Sequence, residues 1–409
     1  MAARTDGIAA TAPPAPGPRR DAAPGSGAPA RAAAPPWYLV AVTVASTSVI
    51  VGLLWDISWH RTIGRDAFLT PAHVAIYLGA LIAGTACGWL ALATTFAGSA
   101  AERAAGVRFW GFRAPLGAWV CIWGSFAMLT SAPFDNWWHN AYGLDVEILS
   151  PPHAVLGLGM IGIQVGAMLM VLAHQNRHGA AGGLLRWMYI YCAGVALLMA
   201  ATTVFEFTGF ANQMHGSLFY RVAAIVYPAF LIAPARAGKL RGSATAIALV
   251  YMGLTLAMVW ILPLFPATAR LAPIYHPVTR MVPPTFPLLL VVPAVLFDLI
   301  LRRGEGRPEW RLALVMGPLF VLALLAVQWP FAEFLLSPAA RNPLFAADQW
   351  DYNYRPGAWQ HEYWHLDRGA GGAWSAAKFW SGIAIATGTA IVTSWIGLVR
   401  GRWMKAVQR

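Results

Sequence analysis

Ten apolar runs restrict what this chain can fold into. They lie at about 37–56, 73–98, 115–134, 154–174, 184–205, 216–235, 243–265, 284–301, 312–334 and 376–398. Each is close to the ~20 residues a helix needs to cross the hydrocarbon of a bilayer. Only 11% of the chain is charged and 58% is hydrophobic, against about a quarter charged in soluble domains. The expected fold is all-α: a polytopic integral membrane bundle of about ten transmembrane helices, with the lipid bilayer as its first partner. The 20 tryptophans fit, because indole rings favour the membrane–water interface.

Residues 1–36 are mostly Ala, Pro, Gly and Arg, and such a segment cannot bury enough surface to offset its ordering entropy. They are read as a disordered tail ahead of a transmembrane domain at 37–409. Arg19-Arg20 resembles a twin-arginine signal only superficially, since no apolar segment follows closely, and the first span is expected to stay as an anchor. If the N-terminus is inside and ten spans alternate, the inner side holds 20 of the 29 Lys+Arg and the outer side 9. The positive-inside rule then gives N-in, C-in, in a cell membrane. The net charge of +12 is spread over short loops, which excludes a nucleic-acid footprint. Cys87, Cys121 and Cys192 fall inside apolar runs without CxxC spacing and are read as buried thiols.

The same threading puts His60, His73, His139, His153, His215, His276, His361 and His365 on the outer side, and only His174 and His178 inside. Residues 56–73 read DISWHRTIGRDAFLTPAH. Asp56 and His60 are four apart, so they project from one face at the end of helix 1. Thr70-Pro71 opens the next helix, with Pro71 suited to a first turn, and places His73 at its start. One carboxylate and two imidazoles then meet on a helical hairpin, a ligand set for copper, zinc or non-haem iron.

Residues 135–153, DNWWHNAYGLDVEILSPPH, repeat the pattern with Asp135, His139 and His153. The shift is 79 for the Asp and the first His, and 80 for the second. This reads as a duplicated hairpin, 37–98 and 115–174. A single interfacial histidine is more often solvated or hydrogen-bonded than a ligand; two copies with the flanking Trp and Pro retained favour metal or proton handling.

Other polar residues say less. In the long outer loop 335–375, His361 and His365 are four apart, with Asp351, Glu362 and Asp367 near; the pair reads equally as a chelate or as part of an aromatic-rich cap. Glu206, His215, Arg221 and Glu333 read as interfacial ion pairs or as partners orienting ligand imidazoles. His276 and Arg280 receive no role. Asp298 and Arg302 read as a local i,i+4 pair.

The pattern D-x-x-W-H-x4-R-D-x3-T-P-x-H at 56–73 resembles the metal-binding segment of the C subunit of copper membrane monooxygenases, the particulate methane and ammonia monooxygenase family. The resemblance implies copper, held by Asp56, His60 and His73 near the outer membrane face, in a complex with other membrane subunits. Arg65, Asp66, Thr70 and Pro71 reproduce the surrounding motif. It covers about twenty residues and the flanking helices. The chain has more spans than a usual C subunit, and its second triad lacks the Arg-Asp pair and carries an extra loop residue.

Three functions fit these residues. One is a copper-binding membrane protein of an O2-dependent oxidation system, alone or in a homo- or hetero-oligomer. The second is a transporter or metal-handling permease, and the third is a structural or assembly subunit whose triads only staple helices.

Overall fold

The computed structural model describes residues 34–65, 67–143, 150–178, 183–354, 367–368 and 373–408. Almost all of the 1–36 tail, together with His361, His365 and Glu362, lies outside them. The regular structure of the described chain is helical apart from a two-stranded β-ribbon, β1 (Val107–Phe109) with β2 (Phe112–Ala114). Among the described residues nine helices are long and apolar enough to cross a membrane, so the chain is a multi-pass helical membrane protein.

The first hairpin is α1 (Trp37–Thr62) and α2 (Pro71–Phe96). After the short α3 (Ala100–Ala105) and the ribbon comes the second, α4 (Leu116–Tyr142) and α5 (Pro151–His178). Then follow α6 (Gly183–Thr203), α7 (Phe205–Thr208), α8 (Ser217–Ala237), α9 (Ser243–Ile261), α10 (Val291–Arg303), α11 (Glu309–Leu336) and α12 (Ala376–Ala406). The two hairpins pack side by side: the Ser46 hydroxyl of α1 donates to the Gln164 side-chain Oε1 of α5, and Cys87 of α2 lies 3.7 Å from the Met170 sulfur of α5.

Each hairpin closes on small residues, because helices without a hydrophobic drive between them associate where backbones can approach. A Cβ on Gly79 of α2 would sit 2.8 Å from the Ala45 carbonyl oxygen of α1. A Cβ on Gly159 of α5 would sit 2.7 Å from the Gly124 carbonyl oxygen of α4. Gly79 and Gly159 are 80 residues apart, and Ala45 and Gly124 are 79 apart, the shifts that relate the two triads. The two hairpins thus share their crossing point as well as their polar ends. Gly159→Leu should lower stability by about 1–3 kcal/mol through overpacking, read as a lower thermal midpoint in detergent. Gly157→Leu, where an added Cβ meets nothing within 4 Å, is the matched control; equal midpoints for the two variants would contradict the close approach.

The run at 284–301 is not a tenth full span. Pro283, Pro284 and Pro287 withhold amide donors and bias their predecessors toward extended backbone, so the chain stays non-helical up to Leu290. The following α10 has 13 residues, about 20 Å at 1.5 Å per residue, too short for the hydrocarbon core. Non-helical backbone at membrane depth is tolerated only inside protein, and Met281, Val282, Leu288 and Leu290 are buried. Neighbouring side chains take up its polar groups. Ser58 Oγ donates to the Val282 carbonyl at 2.5 Å, and the Val282 amide donates to Thr62 Oγ1 at 2.8 Å. Deeper in, the Leu288 amide donates to the Tyr251 hydroxyl and the Leu289 amide to Gln328 Oε1, both at 3.0 Å. Arg61 Nη1 donates to the Pro283 carbonyl at 2.6 Å while Arg61 Nε pairs with Asp351 at 2.5 Å.

Asp298 also departs from its expected partner. Its carboxylate accepts from the Ala244 and Thr245 amides and the Thr245 hydroxyl, at 3.0, 2.8 and 2.6 Å. It caps the first turn of α9, where unpaired amides and the helix dipole favour an anion, and forms no ion pair with Arg302 among the described residues.

Candidate metal centre

Both triads form. In the first, Asp56 lies between its imidazoles: Oδ1 is 3.1 Å from His73 Nε2 and Oδ2 is 3.8 Å from His60 Nε2. One ligand atom from each of the three residues falls within 4.8 Å of the others. In the second, Asp135 Oδ1 is 3.5 Å from His153 Nε2 and Oδ2 is 3.4 Å from His139 Nε2. In both, the central carboxylate offers one oxygen to each neighbour, and the nitrogen facing it is Nε2.

The local sequence explains the shared geometry. α1 runs past its apolar stretch to Thr62, so Asp56 and His60 stay on one helical face; α4 does the same through Tyr142 for Asp135 and His139. The next helix of each hairpin starts with a hydroxyl cap followed by proline. Thr70 Oγ1 accepts from the His73 amide at 3.3 Å, and Ser150 Oγ from the His153 amide at 3.4 Å. The capping residue, Thr70 or Ser150, fixes the first turn and so fixes where the third residue of that turn, the histidine, can reach.

The hydrogen bonds behind the rings decide what the triads can do. His73 Nδ1 lies 3.1 Å from the Ala67 carbonyl oxygen, and His139 Nδ1 lies 3.1 Å from the Gly143 carbonyl oxygen. A carbonyl only accepts, so Nδ1 carries the proton, and in the neutral ring Nε2 is left with its lone pair. That lone pair points at a carboxylate, acceptor against acceptor, unless the ring takes a second proton or a metal cation lies between them. Asp56 Oδ1 and Asp135 Oδ1 are buried and have no hydrogen-bond partner. A carboxylate oxygen left unsatisfied is costly, and a metal ion relieves that cost. Metal-bound histidines commonly hold their second ring nitrogen on a backbone carbonyl in this way. The first triad therefore fits a metal of the copper, zinc or non-haem iron type; among the described residues the second does not bring its three ligand atoms within the same 4.8 Å of one another.

The first site is unequally exposed: the His60 side chain is 49% accessible, those of Asp56 and His73 18% and 19%. Trp59, the tryptophan of the motif, donates from Nε1 to the Arg65 carbonyl at 3.1 Å and folds the loop back over α1. The Arg65 backbone thus has a role the sequence did not reveal. Asp66 lies outside the described residues.

The remaining polar residues separate from the triads. Asp351 pairs with Arg61. Asp367 accepts from the amide and hydroxyl of Ser217 at the start of α8, both at 2.6 Å. The described parts of the 335–375 loop therefore brace helix ends. His215 lies 3.2 Å from Glu333 and 3.3 Å from the Trp329 carbonyl oxygen, its ring against Trp329, all at the end of the bundle. His276 stacks near Trp350.

Burial pushes the His215 imidazole below its ordinary 6.5, with Glu333 and the Trp329 carbonyl opposing. A depressed folded-state pKa makes a stability contribution that is present above 6.5 and lost as pH falls from there through the lowered value. Wild type should therefore lose more thermal stability than His215→Gln between pH 7 and pH 5. Parallel loss in the two proteins would remove His215 from the acid response. Glu206 runs the opposite way, since desolvation and Asp351 raise its pKa against the opposing pull of Arg61; its contribution is present below 4.5 and lost as pH rises through the raised value.

No family model, curated protein or solved structure matches this chain. The functional reading therefore stands on the triads and on the motif at residues 56–73.

Proposed function

We propose that this chain is an integral membrane metalloprotein that binds copper at Asp56, His60 and His73 and a second metal at Asp135, His139 and His153. In this reading the two hairpins are an internal duplication, and the triad end of the bundle is the outer face of a cell membrane. The single observation that carries it is in the first triad: His73 Nε2 faces the buried Asp56 Oδ1, which accepts no hydrogen bond, while His73 Nδ1 is held by the Ala67 carbonyl. The side assignment rests on charge: Arg103, Arg108, Arg113, Arg236, Lys239, Arg241, Arg302 and Arg303 belong to segments at the opposite end.

The resemblance to the C subunit of copper membrane monooxygenases makes an O2-dependent oxidation system the proposed setting, with further membrane subunits. Copper held there by Asp56, His60 and His73 would supply redox chemistry. The chain's own residues bind and orient: the carboxylates neutralise charge, and the Ala67 and Gly143 carbonyls fix the rings. Elemental analysis of the protein purified from membranes tests the proposal. Copper that persists at wild-type stoichiometry in an Asp56→Ala/His60→Ala variant would overturn the ligand assignment.

A second reading, a metal-handling permease, is favoured by one observation. The buried extended segment 281–290 followed by the 13-residue α10 is the kind of interrupted helix that lines transport sites. Metal counterflow in proteoliposomes that vanishes in His60→Ala would favour it over the oxidation system.

A further inference from the structure

At the end of the bundle away from the triads, the turn joining α10 to α11 encloses a groove of ≈ 500 Å³. Its rim carries Arg303, Arg307 and Arg311, and its floor is apolar, with Leu299, Ile300 and Leu312 among the lining. The turn is tight because of its glycines: Gly306 has φ +81, and a Cβ on Gly304 would meet the Ile300 carbonyl oxygen at 2.8 Å. That tightness gathers three guanidinium groups within nine residues of chain.

These charges are not spent inside the protein. Among the described residues none of the three arginines forms an ion pair, and the Arg311 guanidinium lies over the Trp310 ring at 5.1 Å. The nearby carboxylates do not answer them. Glu309 is engaged by Arg236 at 3.2 Å and Arg402 at 3.3 Å, and Glu305 is not part of the groove lining. Arg303, Arg307 and Arg311 are all exposed. Beside them Trp310 is 54% exposed and Val315 49%, an interfacial indole with apolar surface facing the bilayer.

We propose that this groove binds the phosphate headgroup of an anionic phospholipid, with the acyl chains lying along Leu299, Ile300 and Leu312. Guanidinium groups give planar, multi-donor contacts to phosphate, and basic pockets between membrane helices on the positive side select such headgroups. A zwitterionic lipid offers its phosphate together with a cation that three arginines repel, so the site discriminates by charge. A free phosphate ion leaves the apolar floor unused.

The test is native mass spectrometry of the full-length chain, titrated separately with phosphatidylglycerol, phosphatidylcholine and inorganic phosphate. The variant is Arg303→Gln/Arg307→Gln/Arg311→Gln. The control, Arg108→Gln/Arg241→Gln/Lys405→Gln, removes the same charge from exposed positions at the same end. The expected results are preferential phosphatidylglycerol adducts on wild type, about 100-fold weaker binding in the groove variant, and binding within about threefold of wild type in the control. Arg303→Lys/Arg307→Lys/Arg311→Lys should fall between, because it keeps charge without the planar fork. Helical circular dichroism verifies that each variant is folded. Equal binding of phosphatidylcholine, displacement of the lipid by millimolar phosphate, or equal losses in groove variant and control would each overturn the proposal.

Discussion

Replacing Asp56 with alanine should cost the first triad at least about 100-fold in metal affinity. Outer-shell partners of metal ligands are worth 10–100-fold, and Asp56 is closer to the metal than any of those. Its two oxygens face two different imidazoles at 3.1 and 3.8 Å, so its loss removes a ligand and the negative charge both rings share. The apo protein should gain or keep stability in the same variant, because a buried oxygen without a hydrogen-bond partner is removed along with it. Opposite signs in metal affinity and apo stability separate a binding site from a helix staple. If the carboxylate only stapled helices, Asp56→Ala would destabilise the metal-free chain and leave metal content unchanged. Isothermal titration with copper and thermal unfolding of chelator-treated protein read both quantities on one preparation.

Arg61→Leu is expected to destabilise the fold by about 3 kcal/mol. Arg61 and Asp351 side chains are 10% and 18% accessible and lie 2.5 Å apart. The same guanidinium also takes the Pro283 carbonyl at 2.6 Å, at the entry of the extended segment into the bundle. Removing it strands a carboxylate and a carbonyl together. Asp351→Asn, which keeps a hydrogen-bond acceptor for the guanidinium, should cost less than half as much. Thermal midpoints in detergent order the variants, and equal midpoints for Arg61→Leu and wild type would show that the pair does not hold the segment. Because Arg61 directly follows His60, metal content measured alongside shows whether the first triad tolerates a loosened helix end.

How far the fold could be read from sequence depended on what kind of signal each part carries. The membrane helices were legible because burial in lipid imposes length and apolarity, and both are linear properties of sequence. The run at 284–301 passed the same test and was misread as a full span. Its apolar content suits burial in either form, while Pro283, Pro284 and Pro287 decide the backbone. What supports that backbone is side chains far off in sequence, Ser58, Thr62, Tyr251 and Gln328. The triads were legible because i,i+4 spacing and a capped proline start are local rules, and because the pattern occurs twice. The features that make the triads metal-like were not legible. Which ring nitrogen faces the carboxylate depends on the Ala67 and Gly143 carbonyls, and a carbonyl carries no residue-type signal. Asp351 and Asp367 looked like companions of His361 and His365 by sequence proximity, yet they brace Arg61 and Ser217. Asp298 looked like the partner of Arg302, but the first turn of α9 supplies two amides and a hydroxyl. Gly79 with Ala45 and Gly159 with Gly124, set at the same shifts as the histidines, were visible in the sequence and would have strengthened the reading of a repeat.

The central claim, that each Asp-His-His triad holds a metal, is tested most directly by X-ray absorption at the copper edge, with metal counting on the same sample of protein purified from membranes. The account predicts imidazole nitrogen and carboxylate oxygen neighbours without sulfur, since Cys87, Cys121 and Cys192 are buried away from the triads as free thiols. It also predicts two metals per chain, falling to one in either Asp56→Ala or Asp135→Ala. Sulfur in the first shell, or a metal content that neither substitution changes, would contradict it.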